Sequence, residues 1–278
     1  VSGTSGASPS AIAFDELVAE AVAAPFTGWD FSWLDARSTS EDLPWSYRAE
    51  AARYAGTARV MLDMGTGGGE ELTRITPRAR HTIATESWRP NVPVAARRLK
   101  AAGIPVIHCD GAPDNMSEEG ISAAPDRAGL LPFADGVFDL VTNRHESFRA
   151  DELRRVLAPG GAFVTQQVDY HSDDALFELL GLDPPDEPDT WLPLAVAQLN
   201  AAGLTIAHTA AGQETRHFEH VGAVIYYLKV VGWAIPDYSL EAFLPALRAA
   251  WEEPARWPLP LSGRRFIVVA RKATAATA

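Results

Sequence analysis

Residues 60–69 read Val-Met-Leu-Asp-Met-Gly-Thr-Gly-Gly-Gly, an apolar run that ends at an aspartate and enters four glycines within five positions. Glycine has no Cβ, so such a run lets the chain turn sharply and brings backbone N–H groups close to a ligand. A helix opening there, from Glu70 to Thr76, adds its unpaired N–H donors to the same turn. Further apolar runs follow at His81–Thr85, Pro105–Cys109, Phe138–Val141 and Ala162–Val168, with helical spacing between them at Val92–Ala102 and Asp151–Leu157. Short apolar strands alternating with helices imply an α/β fold, its parallel sheet covered on both faces.

The flanks are less regular. Ser8-Pro9 reads as an N-cap and first helical position, and Phe14, Leu17, Val18, Ala21 and Val22 repeat at helical spacing as far as Pro25. Phe26–Tyr47 holds Trp29, Phe31, Trp33, Trp45 and Tyr47, too irregular for a strand and too aromatic for a linker, and is expected to pack over something. Thr190–Ala202 and Leu240–Trp251 read as helices, and Leu204–His208 and Arg265–Ala270 as strands. Val221–Val231 is a buried helix or strand that periodicity does not decide. With no repeat or linker, one domain over 1–278 is expected: an aromatic cover (1–57), a ligand-binding core (58–168) and a C-terminal half with pocket insertions (169–278).

Composition narrows the function classes. A chain of 278 residues can bury about three quarters of its unfolded surface without a staple. Its lone cysteine, Cys109, forbids a disulfide framework or a cysteine-based zinc site. At a net charge of −12 it is poorly suited to neutralising phosphates, so nucleic acid is an unfavoured partner. No segment has the ~20 apolar residues of a membrane span, and the Ser/Gly/Ala-rich start lacks the basic and apolar regions of a secretory signal. With the lone thiol, this predicts a cytoplasmic protein.

The glycine spacing separates the nucleotide motifs. A dinucleotide fingerprint needs glycine where Glu70 stands, and a Walker loop needs the absent Gly-Lys-Ser/Thr. What remains is D-x-G-x-G-x-G directly after a strand, at Asp63, Gly65, Gly67 and Gly69. This resembles the S-adenosylmethionine (SAM) motif of class I methyltransferases, and further matches follow in order. Glu86 ends the second strand, 23 residues after Asp63, where a carboxylate can accept both ribose hydroxyls. Asp110-Gly111 ends the third; Leu131–Val141 resembles the family's entry into strand four, and Leu153–Gly161 its helix and turn before strand five.

The resemblance implies a Rossmann-like, doubly wound seven-stranded sheet whose last strand inserts antiparallel. SAM would be the cofactor and S-adenosylhomocysteine the product. The implied cofactor contacts are Asp63, Gly65, Thr66, Gly67, Gly69, Glu86, Ser87, Trp88, Asp110, Gly111 and Asn143. Trp88 suits either stacking on adenine or anchoring the next helix. About twenty residues separate Asp110 from Leu131, where family members often use a few, so the adenine contact belongs to Asp110 or to a residue within Ala123–Arg127. After strand four stands Asn143-Arg144-His145-Glu146, not the Asn/Asp-Pro-Pro-aromatic of amide and nucleobase N-methylating enzymes.

The leading expectation is a SAM-dependent methyltransferase acting on a small molecule, by O- or N-methylation. His145 is then the candidate base, its ordinary pKa near 6.5 suiting proton transfer, with Glu146 as orienter or alternative. Tyr226, Tyr227 and Trp233, with the aromatic segment, suggest an enclosed apolar pocket. The alternatives are an rRNA or tRNA methyltransferase using a patch of Arg144, Arg149, Arg154 and Arg155, and a SAM-binding protein that methylates nothing. The pairs His171/Asp173 and His217/His220 lack a third ligand at convincing spacing, so no metal is expected.

Overall fold

The computed structural model describes residues 13–117 and 127–274. Its strands are β1 (Ser38–Glu41), β2 (Val60–Met64), β3 (His81–Glu86), β4 (Val106–His108), β5 (Phe138–Arg144), β6 (Leu157–Val168), β7 (Leu204–Phe218) and β8 (Leu259–Lys272). All eight lie in one sheet, in the order β1-β7-β8-β6-β5-β2-β3-β4. The block β4-β3-β2-β5-β6 is parallel, and β8 enters antiparallel between β6 and β7. This is the doubly wound sheet with an antiparallel last strand, extended by one edge strand.

The parallel strands are apolar on both faces because both are covered. On one face Met61, Leu140, Ala162 and Val164 pack with Tyr47, Ala51 and Ala55 of α2 (Tyr47–Ala55), Leu72 of α3 (Glu70–Arg74), and Ala95 and Leu99 of α4 (Val92–Leu99). On the other, Leu62, Val141, Phe163 and Phe266 pack with Leu153 and Val156 of α5 (Ala150–Val156) and Ala195 and Leu199 of α7 (Leu192–Ala201). A third cluster joins α1 (Phe14–Ala23), α6 (Asp174–Leu179), α8 (Val221–Val231) and α9 (Leu240–Trp251) to the strand ends Phe218, Leu259 and Leu261. The N-terminal helix thus packs with C-terminal helices.

Several sequence expectations shift. Ser8-Pro9 lies outside the described residues; α1 begins at Phe14 with no side-chain cap. Phe26–Tyr47 does contain a strand: β1 pairs antiparallel with β7 and shields part of that long strand's edge. Its sequence, Ser-Thr-Ser-Glu, is mostly exposed and carries no apolar alternation, so its pairing comes from the neighbour alone. Strand β7 runs on to Phe218, ten residues past His208, because β8 pairs with it along its whole length. Val221–Val231 is a helix, capped by His220, whose Nδ1 accepts the Ala223 N–H at 3.3 Å.

The Leu131–Phe138 segment is held by one side chain. Arg155 of α5 pairs with Glu152 at 2.7 Å and Asp135 at 2.9 Å, and donates to the carbonyls of Phe133 and Leu131. Glu152 in turn accepts the Leu131 N–H at 2.8 Å. That clamp aligns the entry to β5 and, through it, everything at the strand's carboxyl end.

Candidate functional site: the carboxyl edge of the parallel strands

Strand β2 ends on Asp63, which is 7% exposed and pairs in register with Thr142 of β5. The Thr142 hydroxyl donates to Asp63 Oδ1 at 2.7 Å, and burial pushes the carboxyl up to about 6. Beyond it Gly65, Gly67 and Gly69 all take positive φ, at 62°, 61° and 83°, a region that L side chains rarely adopt. The Thr66 N–H donates to the Thr85 carbonyl at 2.9 Å, and its hydroxyl is buried without a hydrogen-bond partner.

Glu86 ends β3 and turns its carboxylate back onto the glycine turn. One oxygen accepts the Gly67 N–H at 2.6 Å and the other the Trp88 N–H at 2.8 Å. At 4% exposure, burial outweighs these two bonds and pushes the pKa up to about 7. Each carboxylate oxygen keeps a further lone pair free to accept.

The protein's own side chains cover this turn. A Cβ at Gly67 would stand 2.5 Å from Trp29 Cδ1, and one at Gly65 would stand 2.6 Å from Glu146 Cβ. Gly28 lies against Gly68 in the same way. The cover is pinned by charge: Arg98 of α4 pairs with Glu70 at 2.9 Å and with Asp30 at 3.5 Å. Glu70 therefore points under the turn toward Arg98, not out at a ligand's phosphates. Opposite, the Ser87 hydroxyl donates to Glu146 Oε1 at 3.1 Å, spanning the cleft between the glycine turn and Gly111. The cavity left among Met64, Gly65, Ser87, Asp110, Gly111 and Glu146 is about 20 Å³, room for about one water. A larger dent, about 270 Å³ around Arg78, Arg80 and Gly103, lies at the amino end of β3, away from the edge where such sheets bind ligands.

Asp110 is exposed beside Gly111 on the cavity wall. Of the alternative adenine contacts, 123–126 lie outside the described residues and Arg127 is exposed. Trp88 is 65% exposed, so it does not anchor the following helix. Asn143 faces away from Asp63: its Oδ1 accepts from Thr165 at 2.8 Å and Gln167 at 2.7 Å, on the sheet's other face. The described part of the 111–129 insertion docks elsewhere, with Asn115 bonded to Gln198 and Tyr170 donating to the Met116 carbonyl.

His145 corrects the sequence reading of its chemistry. It stands at φ 60° beyond the end of β5, its N–H held by the Gln166 carbonyl at 2.9 Å. The residue is exposed, but its ring is crowded by protein, with Nε2 3.4 Å from Gln166 Nε2, and this desolvation, with the Arg144 and Arg265 charges, holds its pKa well below 6.5. It is a neutral imidazole and a weaker base than an ordinary histidine. Glu146, the expected orienter, makes no bond to it and lies instead across the cleft, its own pKa raised by burial.

The aromatic residues do meet, but ring against ring. Trp29 stacks on Phe31 with centroids 6.1 Å apart, Phe31 meets Tyr227 at 6.4 Å, and Trp33 stacks on Tyr226 at 4.6 Å. They form a packed roof, not walls around a space, and Trp233 stays 78% exposed outside it. Of the expected arginine patch, Arg149 pairs with Asp151 and Arg155 with Glu152 and Asp135, Arg154 is exposed, and Arg144 is half-buried with its pKa lowered by desolvation. His171 pairs with Asp174 and His217 with Glu41. Among the described residues no three His, Cys, Asp or Glu side chains converge as a metal site.

Leu62 to Thr165, the stretch that builds this edge, match the family of methyltransferase domains. The matched stretch spans 104 of the 278 residues, and over it the chain is similar to SAM-dependent methyltransferases. A protein of unknown function from Deinococcus radiodurans R1 shares this chain's fold at TM-score 0.51 and 17% identity, over 84% of this chain and 90% of that one. The YcgJ protein of Bacillus subtilis (TM-score 0.48, 17% identity, 82% and 98% coverage) and the [4+2]-cyclase SpnF (0.48, 17%, 93% and 93%) are more distant in shape. No curated protein matches the sequence.

SAM is the family's cofactor. The residues present fit it: a turn with three glycines at positive φ, an unpartnered Thr66 hydroxyl, and a buried carboxylate at Glu86 with acceptor capacity left. Admitting it requires the Glu146 side chain to leave Gly65. Among the described residues, no helix is long and apolar enough to cross a membrane. The aromatic segment is expected as a cover, but its contact at Trp29 with Gly67, and Glu146 against Gly65, are not read from the sequence. Neither carries a local signal, since each contact joins residues far apart in the chain.

Proposed function

We propose that this protein is a SAM-dependent methyltransferase that acts on a small-molecule acceptor, methylating an oxygen or nitrogen. SAM, when bound, supplies an electrophilic methyl carbon on a sulfonium. The chain's own task is to orient the acceptor and exclude water, because in-line displacement depends chiefly on alignment. Asp63, the glycine turn and Glu86 hold the cofactor side. His145, neutral and accessible at the end of β5, takes the proton of a hydroxyl acceptor; an amine needs no such help.

The observation that supports a small acceptor over RNA is the roof. Gly28 and Trp29 sit directly on the glycine turn and continue through Phe31 to Tyr227 of α8, so the turn lies beneath packed aromatic rings and not at an open basic groove. Arg149 and Arg155 are paired with Asp151 and Glu152, which leaves fewer charges to neutralise phosphates. Incubation with methyl-labelled SAM and separate small-molecule and RNA pools tests the reading. Label is expected in the small-molecule pool; label in RNA alone would replace this proposal by the RNA one.

A further inference from the structure

Gln166 lies in β6, in register with Arg144 of β5 and Ile267 of β8, and is 4% exposed. It grips His145 twice. Its carbonyl accepts the His145 N–H at 2.9 Å, and its side-chain Nε2 stands 3.4 Å from His145 Nε2. On its other side the Trp45 indole N–H donates to Gln166 Oε1 at 3.0 Å. Trp45 is itself seated against β7, where a Cβ at Gly212 would stand 3.1 Å from its Cζ3.

An indole N–H can only donate, so the side-chain atom that it meets must be the amide oxygen. The amide nitrogen is thereby turned toward His145, and it too can only donate. The ring nitrogen that faces it, Nε2, therefore has to offer a lone pair. In a neutral imidazole the proton then resides on the other nitrogen, Nδ1. The charges acting on the ring, Arg144 of its own strand and Arg265 of β8, are both cations and favour the same neutral form. At 3.4 Å the amide contact is long for a hydrogen bond, so an entering hydroxyl can take the place of Gln166 at that lone pair.

We propose that Gln166, turned by Trp45, is a positioning residue for methyl transfer: it holds His145 in the tautomer whose bare nitrogen is Nε2, and makes Nε2 the atom that receives the acceptor's proton. The inference rests on His145 as the base of the small-molecule reading above, and deepens it. The acceptor's O–H bond breaks as its oxygen bonds the methyl carbon and the carbon–sulfur bond of the sulfonium opens. The proton ends on Nε2, and the sulfur leaves as a neutral thioether. Protonated Nε2 then faces the Gln166 amide N–H, donor against donor, which favours passing the proton to solvent at this exposed residue.

Nitrogen-15 NMR of the histidine rings in the full chain tests this without substrate, the His145 signals being those lost in His145→Ala. Wild type should show Nδ1 protonated and Nε2 bare at about pH 7. Gln166→Glu keeps an acceptor for Trp45 but turns a carboxylate oxygen toward Nε2. The proton should then move to Nε2, and the ring should titrate at least about one pH unit higher. Trp45→Phe frees the amide to turn over and should reduce the preference for a bare Nε2 roughly 2- to 10-fold, the worth of one neutral hydrogen bond; it also serves if the Glu variant does not fold. A wild-type proton on Nε2, or the wild-type pattern in both variants, overturns the proposal. Transfer of label from SAM into the small-molecule pool is followed in parallel, and its pH break should move with the His145 titration in Gln166→Glu. A titration that moves while the label rate does not would instead remove His145 as the base, the reading on which the inference rests.

Discussion

The affinity of the site for its product should depend on pH through Glu86. Its pKa is raised from 4.5 to about 7 by burial at the glycine turn. That shift of about 2.5 units corresponds to roughly 3 kcal/mol between the protonated and ionised forms. In the ligand-free protein the group's contribution to stability is complete below its unfolded pKa and is lost as pH rises through the folded value near 7. A ligand whose hydroxyls donate to the carboxylate favours the ionised form and draws the pKa back down. Affinity for S-adenosylhomocysteine should therefore be level above about pH 7 and fall below it. At about pH 5.5 only ~3% of the free carboxyl is ionised, so the loss is roughly 30-fold. Titration calorimetry between about pH 5.5 and 8, in buffers of different ionisation enthalpy, should also show a proton released on binding on the acidic side. Glu86→Gln cannot titrate, so its break near 7 should vanish and leave only what Asp63 contributes from about 6 downward. Wild-type affinity that stays level over this range, or an unchanged break in the Gln variant, would refute the assignment of Glu86.

The turn and its cover give the remaining predictions. Gly67→Ala places a side chain at φ 61° and 2.5 Å from Trp29, and should cost about 2–4 kcal/mol in urea unfolding; adding Trp29→Ala should recover the clash but not the strain, and strictly additive variants would deny the contact. Glu146→Ala removes the side chain that must leave the cleft, so S-adenosylhomocysteine should bind roughly fivefold more tightly, the worth of the lost Ser87 bond; weaker binding would make Glu146 a cofactor ligand. His145→Ala should lower turnover of a hydroxyl acceptor by about 10²–10⁴-fold at unchanged product affinity, and the wild-type rate should show no break near 6.5 because the imidazole is already neutral. A break at 6.5 that disappears in the Ala variant would show an unperturbed histidine.

The sheet and the glycine turn were legible because both rest on local rules. Val60–Gly69 carries strand, aspartate and turn in one stretch, and the apolar runs within β2 and β5 are buried because both faces of the sheet are covered. Glu86 was readable by position, as a carboxylate closing the second strand. Strand β1 and the far half of β7 were not, since their polar residues show no alternation and pair only because a neighbouring edge is there. The histidine was found but its strength was not, because its pKa is lowered by burial and then by charges that include Arg265, 120 positions along the chain.

From sequence alone came the turn, the order of the strands and the family to which they point; each follows from backbone conformational preference and periodic burial within a few residues. Tertiary structure alone decided that Trp29 and Glu146 close the turn, that the aromatic rings pack on one another, and that Arg149 and Arg155 are paired with nearby acids. Those outcomes depend on which side chains from distant segments share one small volume, where charge pairing and steric exclusion act over a few ångströms of space and are indifferent to separation along the chain.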